Sequence, residues 1–420
     1  MPDVEFTNLL VVAVIALLAP LTLGLAPALR FPSVVLEIVA GVVVGPQVMG
    51  WVEVDVPVSI VALLGLAFLL FLAGLEIDVH QLRGRVLRLA LGAYVVTLLL
   101  GIAVGVALEA AGWVRSTGLV AVALSATSLG LVVPVLKDAG KLDTRLGQTT
   151  VAAASVADFT AIVMLSLLFS TSDTSTGSRL ILLGAFAGLV ATTAVAVSLV
   201  ARSRQLDMTL TRLQDTTAQI RVRAAVLLLV AFVALAEQFG LETILGAFMA
   251  GAVVSLIDRD SWSHPHFRLK LEAIGYGFLI PVFFVTSGLR LDLSGLVDNP
   301  SALARVPAFA IALLAVRGLP ALLFSRLFDR RSVIAAGLLQ ATSLPFIVTA
   351  TQIGVLTGLI SGVTAAAMVC AGLLSVVVFP VVALALLRSA QPDQETPAES
   401  TDARAPRQSE ANGHDGEPGQ

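Results

Sequence analysis

The stretch "LSATSLGLVVPV", Leu124 to Val135, decides the fold because it returns as "LQATSLPFIVTA", Leu339 to Ala350, in the second half of the chain. Each copy places Ala-Thr-Ser-Leu before a Gly or Pro inside an otherwise apolar run. Gly and Pro both disfavour an uninterrupted helix. The polar residues beside the two breakers are Thr127, Ser128, Thr342 and Ser343. The repeat predicts two interrupted helices.

The surrounding composition places these helices in a membrane. Of the 420 residues, 57% are hydrophobic and only 13% are charged. A bilayer core needs about 20 apolar residues per helix, and the apolar runs predict an all-α polytopic membrane protein. The thirteen predicted spans lie at about 8–29, 33–50, 57–76, 86–108, 116–138, 146–170, 178–201, 222–239, 241–257, 272–290, 303–327, 333–355 and 359–388.

The distribution of Lys and Arg predicts the orientation. The loops on one side hold only Arg115, Arg179, Arg290 and Arg305, and Arg317 lies inside a span; all other basic residues fall on the opposite side or in the tail. Basic residues mark cytoplasmic loops. We therefore expect a multi-pass protein of the cytoplasmic (inner) membrane, with its N-terminus outside and its C-terminus in the cytoplasm.

Further matches between the two halves predict an internal repeat. "GLEID" at Gly74 is echoed by "GLRLD" at Gly288, and "EIVAG" at Glu37 by "ETILG" at Glu242. All matches pair spans seven apart, and an odd shift reverses direction. The halves are therefore predicted to be inverted-topology repeats, in which paired broken helices cross at the midplane.

The predicted organisation follows from this repeat. A transport domain covers residues 1–388, with spans 1 to 6 (8–170) and 8 to 13 (222–388) as repeats and span 7 (178–201) as connector. Residues 389–420 are polar and rich in Pro, Glu and Gly. This composition predicts a disordered cytoplasmic tail.

Two charges lie deep in the predicted membrane. Asp158 is at the middle of span 6 and Arg317 at the centre of span 11. A charge there costs at least about 2.5–3.5 kcal/mol on insertion scales, which makes each a candidate functional residue. We expect Arg317 to offset the carbonyl ends of the broken helices, to pair with Asp158, or both.

One carboxylate that holds either a proton or a hard monovalent cation is a minimal exchanger. Hard cations prefer oxygen ligands, so Asp158 is the candidate alkali-cation ligand. The other candidate oxygen donors are Thr127, Ser128, Ser155, Thr342 and Ser343. In the alternative interpretation the Ser and Thr hydroxyls only bond back to their own helices.

The chain resembles the cation:proton antiporter-2 family of bacterial Na⁺/H⁺ and K⁺/H⁺ exchangers over residues 8–388. The matching stretches are "FPSVVLEIVAGVVVGP", "FLLFLAGLEID", "SATSLGLVVPVLKDAG", "ADFTAI" and "PVFFVTSGLRLD", with the basic residue of span 11. The resemblance implies a homodimer, with spans 1 to 3 and 8 to 10 as a dimer platform. It also implies a mobile core of spans 4 to 6 and 11 to 13 that carries the ion by an elevator-like movement.

Several positions depart from the family pattern. Ala157 stands where relatives commonly have Asp, Asn or Gln, and an Asp-Asp pair accompanies electrogenic exchange in the family, so we expect electroneutral exchange. Ala153 stands where many electroneutral relatives carry a Glu that pairs with the arginine. The short tail cannot fold the nucleotide-binding domain of potassium-efflux members, so ligand gating would need a separate regulatory subunit.

Other functions remain open at this level. An inverted-repeat sodium/organic-anion symporter or a non-transporting membrane sensor would share the span pattern. We expect no enzyme, because no nucleophile and base lie at one depth. We also expect no cofactor beyond the transported ions (Na⁺ or K⁺, and H⁺), no nucleic acid, and membrane lipids as partners.

Overall fold

The computed structural model describes residues 5–25, 32–76, 84–138, 140–169, 176–201, 219–257, 265–298 and 300–388. All regular secondary structure in these ranges is helical, which confirms the all-α prediction. The predicted tail at 389–420 and most of the loop after span 7 lie outside the described residues.

The first half of the chain matches the predicted spans, with span 5 in two pieces. Its helices are α1 (Thr7–Leu25), α2 (Ser33–Val44), α3 (Val56–Leu75), α4 (Gly84–Ala110), α5 (Thr117–Ser125), α6 (Leu129–Asp138), α7 (Arg145–Phe169) and α8 (Thr176–Ala201).

The second half matches in the same way, with span 12 divided. Its helices are α9 (Ile220–Gln238), α10 (Thr243–Ile257), α11 (Pro265–Ile274), α12 (Ile280–Leu289), α13 (Leu293–Val297), α14 (Pro300–Leu303), α15 (Arg305–Leu313), α16 (Arg330–Gln340), α17 (Pro345–Leu356) and α18 (Gly362–Arg388). A π-helical turn, Gly275–Leu279, joins α11 to α12. A second π-helical turn, Leu314–Gly318, followed by a 3-10 segment, Leu319–Arg326, continues α15.

The described helices suit a bilayer. Seven stretches are long and apolar enough to cross a membrane, and five shorter apolar helices accompany them. Many large apolar side chains are exposed, such as Leu10, Leu63, Leu99 and Ile181. Such surfaces are expected of a protein whose solvent includes lipid. The protein is therefore a polytopic membrane protein.

The helices pack in two groups. The first group joins α1, α2, α3 and α9 to α12; the second joins α4 to α7 with α15 to α18. Contacts within each group are much more extensive than contacts between the groups. The division follows the one that the family resemblance implies for platform and core.

Two pairs of close backbone approaches reveal an internal symmetry in the first group. A Cβ on Gly41 would lie 2.1 Å from the Val285 carbonyl oxygen, and one on Gly251 would lie 1.9 Å from that of Phe71. Only glycine permits such contact. Here α2 meets α12 in the same way that α10 meets α3.

The second pair relates the same helices. A Cβ on Gly288 would lie 2.1 Å from the Ile38 oxygen, and one on Gly74 would lie 2.1 Å from the Phe248 oxygen. Each approach thus has a counterpart in which the roles of the two halves are exchanged. Such reciprocity is what two structurally repeated halves predict.

Polar caps define where the divided helices begin. The Ser116 hydroxyl accepts a hydrogen bond from the Leu119 N–H at the start of α5. The Asp329 carboxylate accepts bonds from the Arg331 and Ser332 N–H groups at the start of α16. Hydrogen bonds to Ser332 and Arg331, led by the one with the Ser332 side chain, hold the pKa of Asp329 below its usual value. Each divided span therefore starts at a capped end.

Candidate functional site: two interrupted helices

The first interruption is organised around one carboxylate. The helix stops at Ser125, the chain is not helical from Ala126 to Ser128, and the helix resumes at Leu129. Asp158 of α7 accepts hydrogen bonds from the N–H groups of Thr127 (2.9 Å) and Leu129 (3.3 Å). These donors lack helical partners because of the break, and the positive end of α6 faces the acid. Asp158 therefore supplies the hydrogen-bond acceptors for N–H groups that the break leaves without helical partners.

The Thr127 side chain connects the first interruption to the buried arginine. Its hydroxyl donates to the Gln340 carbonyl oxygen (2.7 Å) at the end of α16. It accepts from Arg317 Nε (2.8 Å) and also from Nη2, while Arg317 Nη1 donates to the Thr97 hydroxyl (3.3 Å). Arg317 is 1% exposed. A fully buried guanidinium is thus joined to the carbonyl end of a broken helix through one threonine.

Arg317 and Asp158 form hydrogen bonds with different groups of Thr127. The carboxylate takes the Thr127 backbone N–H and the guanidinium takes the hydroxyl. Among the described residues no ion pair joins the two charges within 4.0 Å. The arginine lies in the π-helical turn after α15, a local widening that often marks functional positions.

The second interruption has no carboxylate. The chain leaves helical geometry after Gln340 and resumes at Pro345. The Ser343 N–H donates to the hydroxyl of Ser375 (3.2 Å) in α18, and that hydroxyl lies 3.2 Å from the Ser343 carbonyl oxygen. The Ser343 hydroxyl itself is buried without a partner. A neutral serine thus stands where the first interruption has an acid.

The two interruptions touch directly. The Ser128 N–H donates to the Thr342 carbonyl oxygen (2.9 Å). The Thr342 hydroxyl donates back to the Leu338 oxygen of its own helix (3.1 Å). Thr127, Ser128, Thr342 and Ser343 are all buried. The structure brings these four predicted residues together with Asp158 and Arg317.

Ser155 has a different setting from the other predicted site residues. It is buried one turn before Asp158, and its hydroxyl donates to the Val151 oxygen of the same helix (3.0 Å). Like Thr342 and Ser343, it is not among the residues that line the cleft beside Asp158.

A cleft reaches Asp158 from between the two helix groups. Its empty volume is about 490 Å³, counted to its opening, and Thr127, Ser128 and Asp158 form part of its wall. Glu76, the residue after α3, and Tyr276, in the π-helical turn before α12, line the same cleft. A Cβ on Gly130 would lie 3.4 Å from the Tyr276 hydroxyl. The buried acid is therefore accessible from one side of the protein.

Several polar residues at the site were not assigned from the sequence. Glu76 lines the cleft. Gln340 accepts a hydrogen bond from Thr127, Ser375 accepts one from Ser343, and Thr97 accepts one from Arg317. Tyr94 is buried and shares a hydrogen bond with the Ser125 hydroxyl (3.1 Å). Glu76 was visible in "GLEID", but it lies at the end of a predicted span, and only the two mid-span charges, Asp158 and Arg317, were candidate functional residues. In the described residues, no three His, Cys, Asp or Glu side chains cluster as metal ligands.

The fold and the site define an all-helical membrane protein in which two interrupted helices meet beside a buried carboxylate, the construction of many secondary transporters. The model of the family described as "Sodium/hydrogen exchanger, transmembrane" matches residues 13–388 of this chain. The chain belongs to this family of secondary transporters, which are not enzymes, and its predicted resemblance to cation:proton antiporters is confirmed.

Individual relatives agree with the assignment. YjbQ of Bacillus subtilis, which carries the provisional name of a Na⁺/H⁺ antiporter, is 31% identical over 84% of this chain; the match spans 58% of that longer protein. GerN of Bacillus cereus, named a Na⁺/H⁺-K⁺ antiporter, is 28% identical over 70% of this chain and 74% of its own length. A Na⁺/H⁺ antiporter of Enterococcus hirae is 27% identical over 90% of this chain and 97% of its own length.

A solved structure shares the fold. The sodium proton antiporter MjNhaP1 from Methanocaldococcus jannaschii superimposes with a TM-score of 0.63 over 90% of this chain and 98% of its own. Its sequence is only 18% identical, so this likeness concerns the fold alone.

Proposed function

We propose that this protein exchanges a monovalent cation, Na⁺ or K⁺, for H⁺ across the cytoplasmic membrane by alternating access. Asp158 binds the proton and the cation in competition. The observation that carries the proposal is the position of Asp158, a buried acid on a cleft wall, held by two N–H groups of an interrupted helix. The names of the relatives, which include Na⁺/H⁺ and K⁺ antiporters, support the class of reaction.

The oxygen atoms around Asp158 suit a hard cation. Asp158, Thr127 and Ser128 line the cleft, and carboxylate, hydroxyl and carbonyl oxygens are the ligands that hard cations prefer. A proton on the acid removes the charge that a cation needs, so one occupant excludes the other. Each cycle then moves a cation in one direction and a proton in the other.

Arg317 has a supporting role in this proposal. Its charge is fixed because guanidinium stays protonated, and its bonds to Thr127 place it at the carbonyl end of α16. The arginine stabilises the negative helix end and keeps the cavity from accumulating uncompensated negative charge. It does not need to contact the transported ion.

Electroneutral exchange follows if Asp158 is the only proton carrier. The preceding residue, Ala157, is fully buried and cannot titrate. One proton would then cross for each monovalent cation. The proposal also includes the predicted orientation, a homodimer formed through the group containing α1 to α3 and α9 to α12, and movement of the other group as a unit.

The test is cation-driven proton movement in proteoliposomes. Na⁺ or K⁺ should dissipate an imposed pH gradient with wild-type protein, at a rate that is unchanged when the membrane potential is clamped. Asp158→Asn should reduce this to the rate of protein-free liposomes, because the amide binds neither proton nor cation. Asn is close in size to Asp, and a melting curve identifies a folding defect. Full exchange by the Asn variant would refute the role of Asp158.

A further inference from the structure

We propose that Gln352 and Ser287 form a latch that holds the two helix groups together on the face predicted to be outside, while the cleft to Asp158 is open on the opposite face. This inference rests on the proposed exchange by alternating access, because it names a contact that has to separate before Asp158 can be exposed to the outside. Neither residue lines the cleft. They are positioning residues, which act on the balance between the two states of the transporter.

The latch is one hydrogen bond between the two helix groups. The Gln352 side-chain amide, in α17 of the second group, donates to the Ser287 hydroxyl, in α12 of the first group, at 3.3 Å. That hydroxyl donates in turn to the Phe283 oxygen of its own helix at 2.7 Å. Ser287 is 4% exposed. The hydroxyl therefore both accepts and donates a hydrogen bond, and the contact is shielded from solvent.

The latch and the cleft lie on opposite sides of the interruptions. Helix α17 begins at Pro345, next to the second interruption, and Gln352 is seven residues farther along, about 10 Å at the rise of an α-helix. Ser287 lies two residues before the end of α12. Both helices run toward the predicted outer face, whereas Glu76, at the predicted inner end of α3, lines the cleft. The latch therefore lies on the side of the protein opposite the cleft.

The internal repeat relates Ser287 to a residue of the cleft wall. The match of "GLEID" at Gly74 to "GLRLD" at Gly288 pairs Ser287 with Ala73, the residue before Gly74. Ala73 lines the cleft beside Asp158. Inverted repeats are related by an axis in the membrane plane, so paired positions lie on opposite faces. Ser287 is thus placed where an outer entrance would pass once the latch separates.

The burial of the two paired helices agrees with this closure. Every residue of α12 is buried, whereas its counterpart in the repeat, α3, contributes Leu69, Leu70 and Ala73 to the cleft wall. A second hydrogen bond also joins the groups near predicted outer span ends: the Glu242 N–H, directly before α10, donates to the Ser166 hydroxyl of α7 at 3.2 Å. These two contacts stabilise the arrangement in which the cleft is open on the other face.

A crosslink across the latch tests whether it separates during transport. Ser287→Cys and Gln352→Cys are combined with Cys370→Ser, which removes the one native thiol, and the two thiols are joined with a short, cleavable bifunctional reagent. Exchange in proteoliposomes should be lost on crosslinking and return when the reagent is cleaved. The crosslinked protein should still bind radioactive sodium or rubidium, because the cleft stays open. Full exchange after crosslinking, or loss of binding together with exchange, would overturn the proposal.

A matched crosslink within one group is the control. Arg290 Nη2, at the end of α12, donates to the Ser59 hydroxyl of α3 at 3.3 Å, on the same predicted outer face. Ser59→Cys with Arg290→Cys, joined by the same reagent, should exchange at the rate of the unjoined protein, because α3 and α12 belong to one group. Equal inhibition by the two crosslinks would refute a specific role for the latch.

Spin labels measure the two states without transport. Val56, at the start of α3, is 68% exposed and Leu356, at the end of α17, is 86% exposed. Both lie on the predicted outer face, in different groups. Val56→Cys and Leu356→Cys, combined with Cys370→Ser, carry the labels, and dilution with unlabelled protein restricts the recorded distances to single chains. The distance distribution should contain two populations, one of which matches the structure.

Latch variants should change the ratio of these populations. Ser287→Ala and Gln352→Ala should each shift it about threefold away from the observed state, the effect of an average polar contact between membrane helices. Thr286→Val is the matched control, because the neighbouring Thr286 hydroxyl is buried without a partner. An unchanged ratio in both latch variants, or an equal shift in the control, would contradict the proposal; melting curves identify a variant that does not fold. Because this measurement needs no ion movement, a failure of the exchange proposal is distinguishable from a failure of this one.

Discussion

The two interrupted helices repeat one sequence but differ in the group that satisfies their free backbone. At the first, N–H groups of Thr127 and Leu129 donate to the Asp158 carboxylate; at the second, the Ser343 N–H donates to the Ser375 hydroxyl. A carboxylate can gain and lose a proton in water, whereas a serine hydroxyl keeps its proton. In the proposed mechanism, the half of the repeat with the carboxylate is the exchange site and the other half is its fixed support.

The threonines at the two breaks show the same division. The Thr127 hydroxyl joins Arg317 to the Gln340 oxygen, whereas the Thr342 hydroxyl only returns to its own helix at Leu338. The Thr127 side chain therefore links three segments, whereas the Thr342 side chain bonds only within its own helix. Variants at matched positions can test whether the charged half alone controls transport.

Arg317→Gln should have the largest effect of the variants that test this comparison. It removes a fully buried charge and its hydrogen bonds to Thr127 and Thr97, and each hydrogen bond to a charged group contributes about 1.5–3 kcal/mol. We expect a clearly lower melting temperature and very low exchange in proteoliposomes. Arg317→Lys should recover little, because one ammonium cannot reproduce the guanidinium geometry. Wild-type exchange by both would exclude a role for this charge.

Thr127→Val and Thr342→Val form the most closely matched pair. The Thr127 change removes a hydrogen bond from a charged donor, which is worth about 1.5–3 kcal/mol, and should lower both stability and maximal exchange rate. The Thr342 change removes an intrahelical bond within a membrane helix, and polar contacts there average about 0.6 kcal/mol. Rates and melting temperatures of the two variants check the prediction. Equal effects would contradict the asymmetry.

Ser375→Ala should affect stability without affecting the ion. It leaves the buried Ser343 N–H without the acceptor that it now uses, at a cost of about 1–3 kcal/mol. We expect a lower melting temperature with an unchanged apparent KM for the cation. A large increase in KM would mean that the second interruption also binds the ion.

The helix caps should give the smallest effects. Ser116→Ala and Asp329→Ala each remove a cap from the first half of a broken helix, at a cost of about 1 kcal/mol. Neither should change the KM. Because the folded-state pKa of Asp329 is depressed, its contribution is present above the unfolded pKa and is lost as the pH falls through the folded pKa. Melting curves across that range should show the Asp329 effect vanishing in acid and the Ser116 effect persisting.

The sequence predicted the fold better than it predicted the site. Spans are set by the length of apolar runs, so even the short gap between the predicted spans at 222–239 and 241–257 is observed, with Gly240 at a φ of 66°. Both interruptions were predicted, but Gly130 lies inside α6 and Pro345 is the first residue of α17. Pro suits that first position because its missing N–H costs nothing there. The breakers thus begin the second halves and do not form the gaps.

The unpredicted site residues depend on tertiary contact. Ser375 and Thr97 are weakly polar residues of a kind found throughout membrane helices, and only their approach to Ser343 and Arg317 gives them roles. Asp158 was predictable because a midplane acid is expensive. Whether Arg317 would pair with Asp158 could not be predicted, because the position of Thr127 between the two side chains depends on the tertiary structure.

The measurement that tests the central claim most directly is the apparent KM for the cation as a function of pH, in proteoliposomes with the membrane potential clamped. If proton and cation compete for Asp158, the KM should rise in proportion to proton concentration, with the maximal rate unchanged at low pH, where Asp158 is readily protonated for the return step. A KM that does not depend on pH would contradict competition at a single carboxylate.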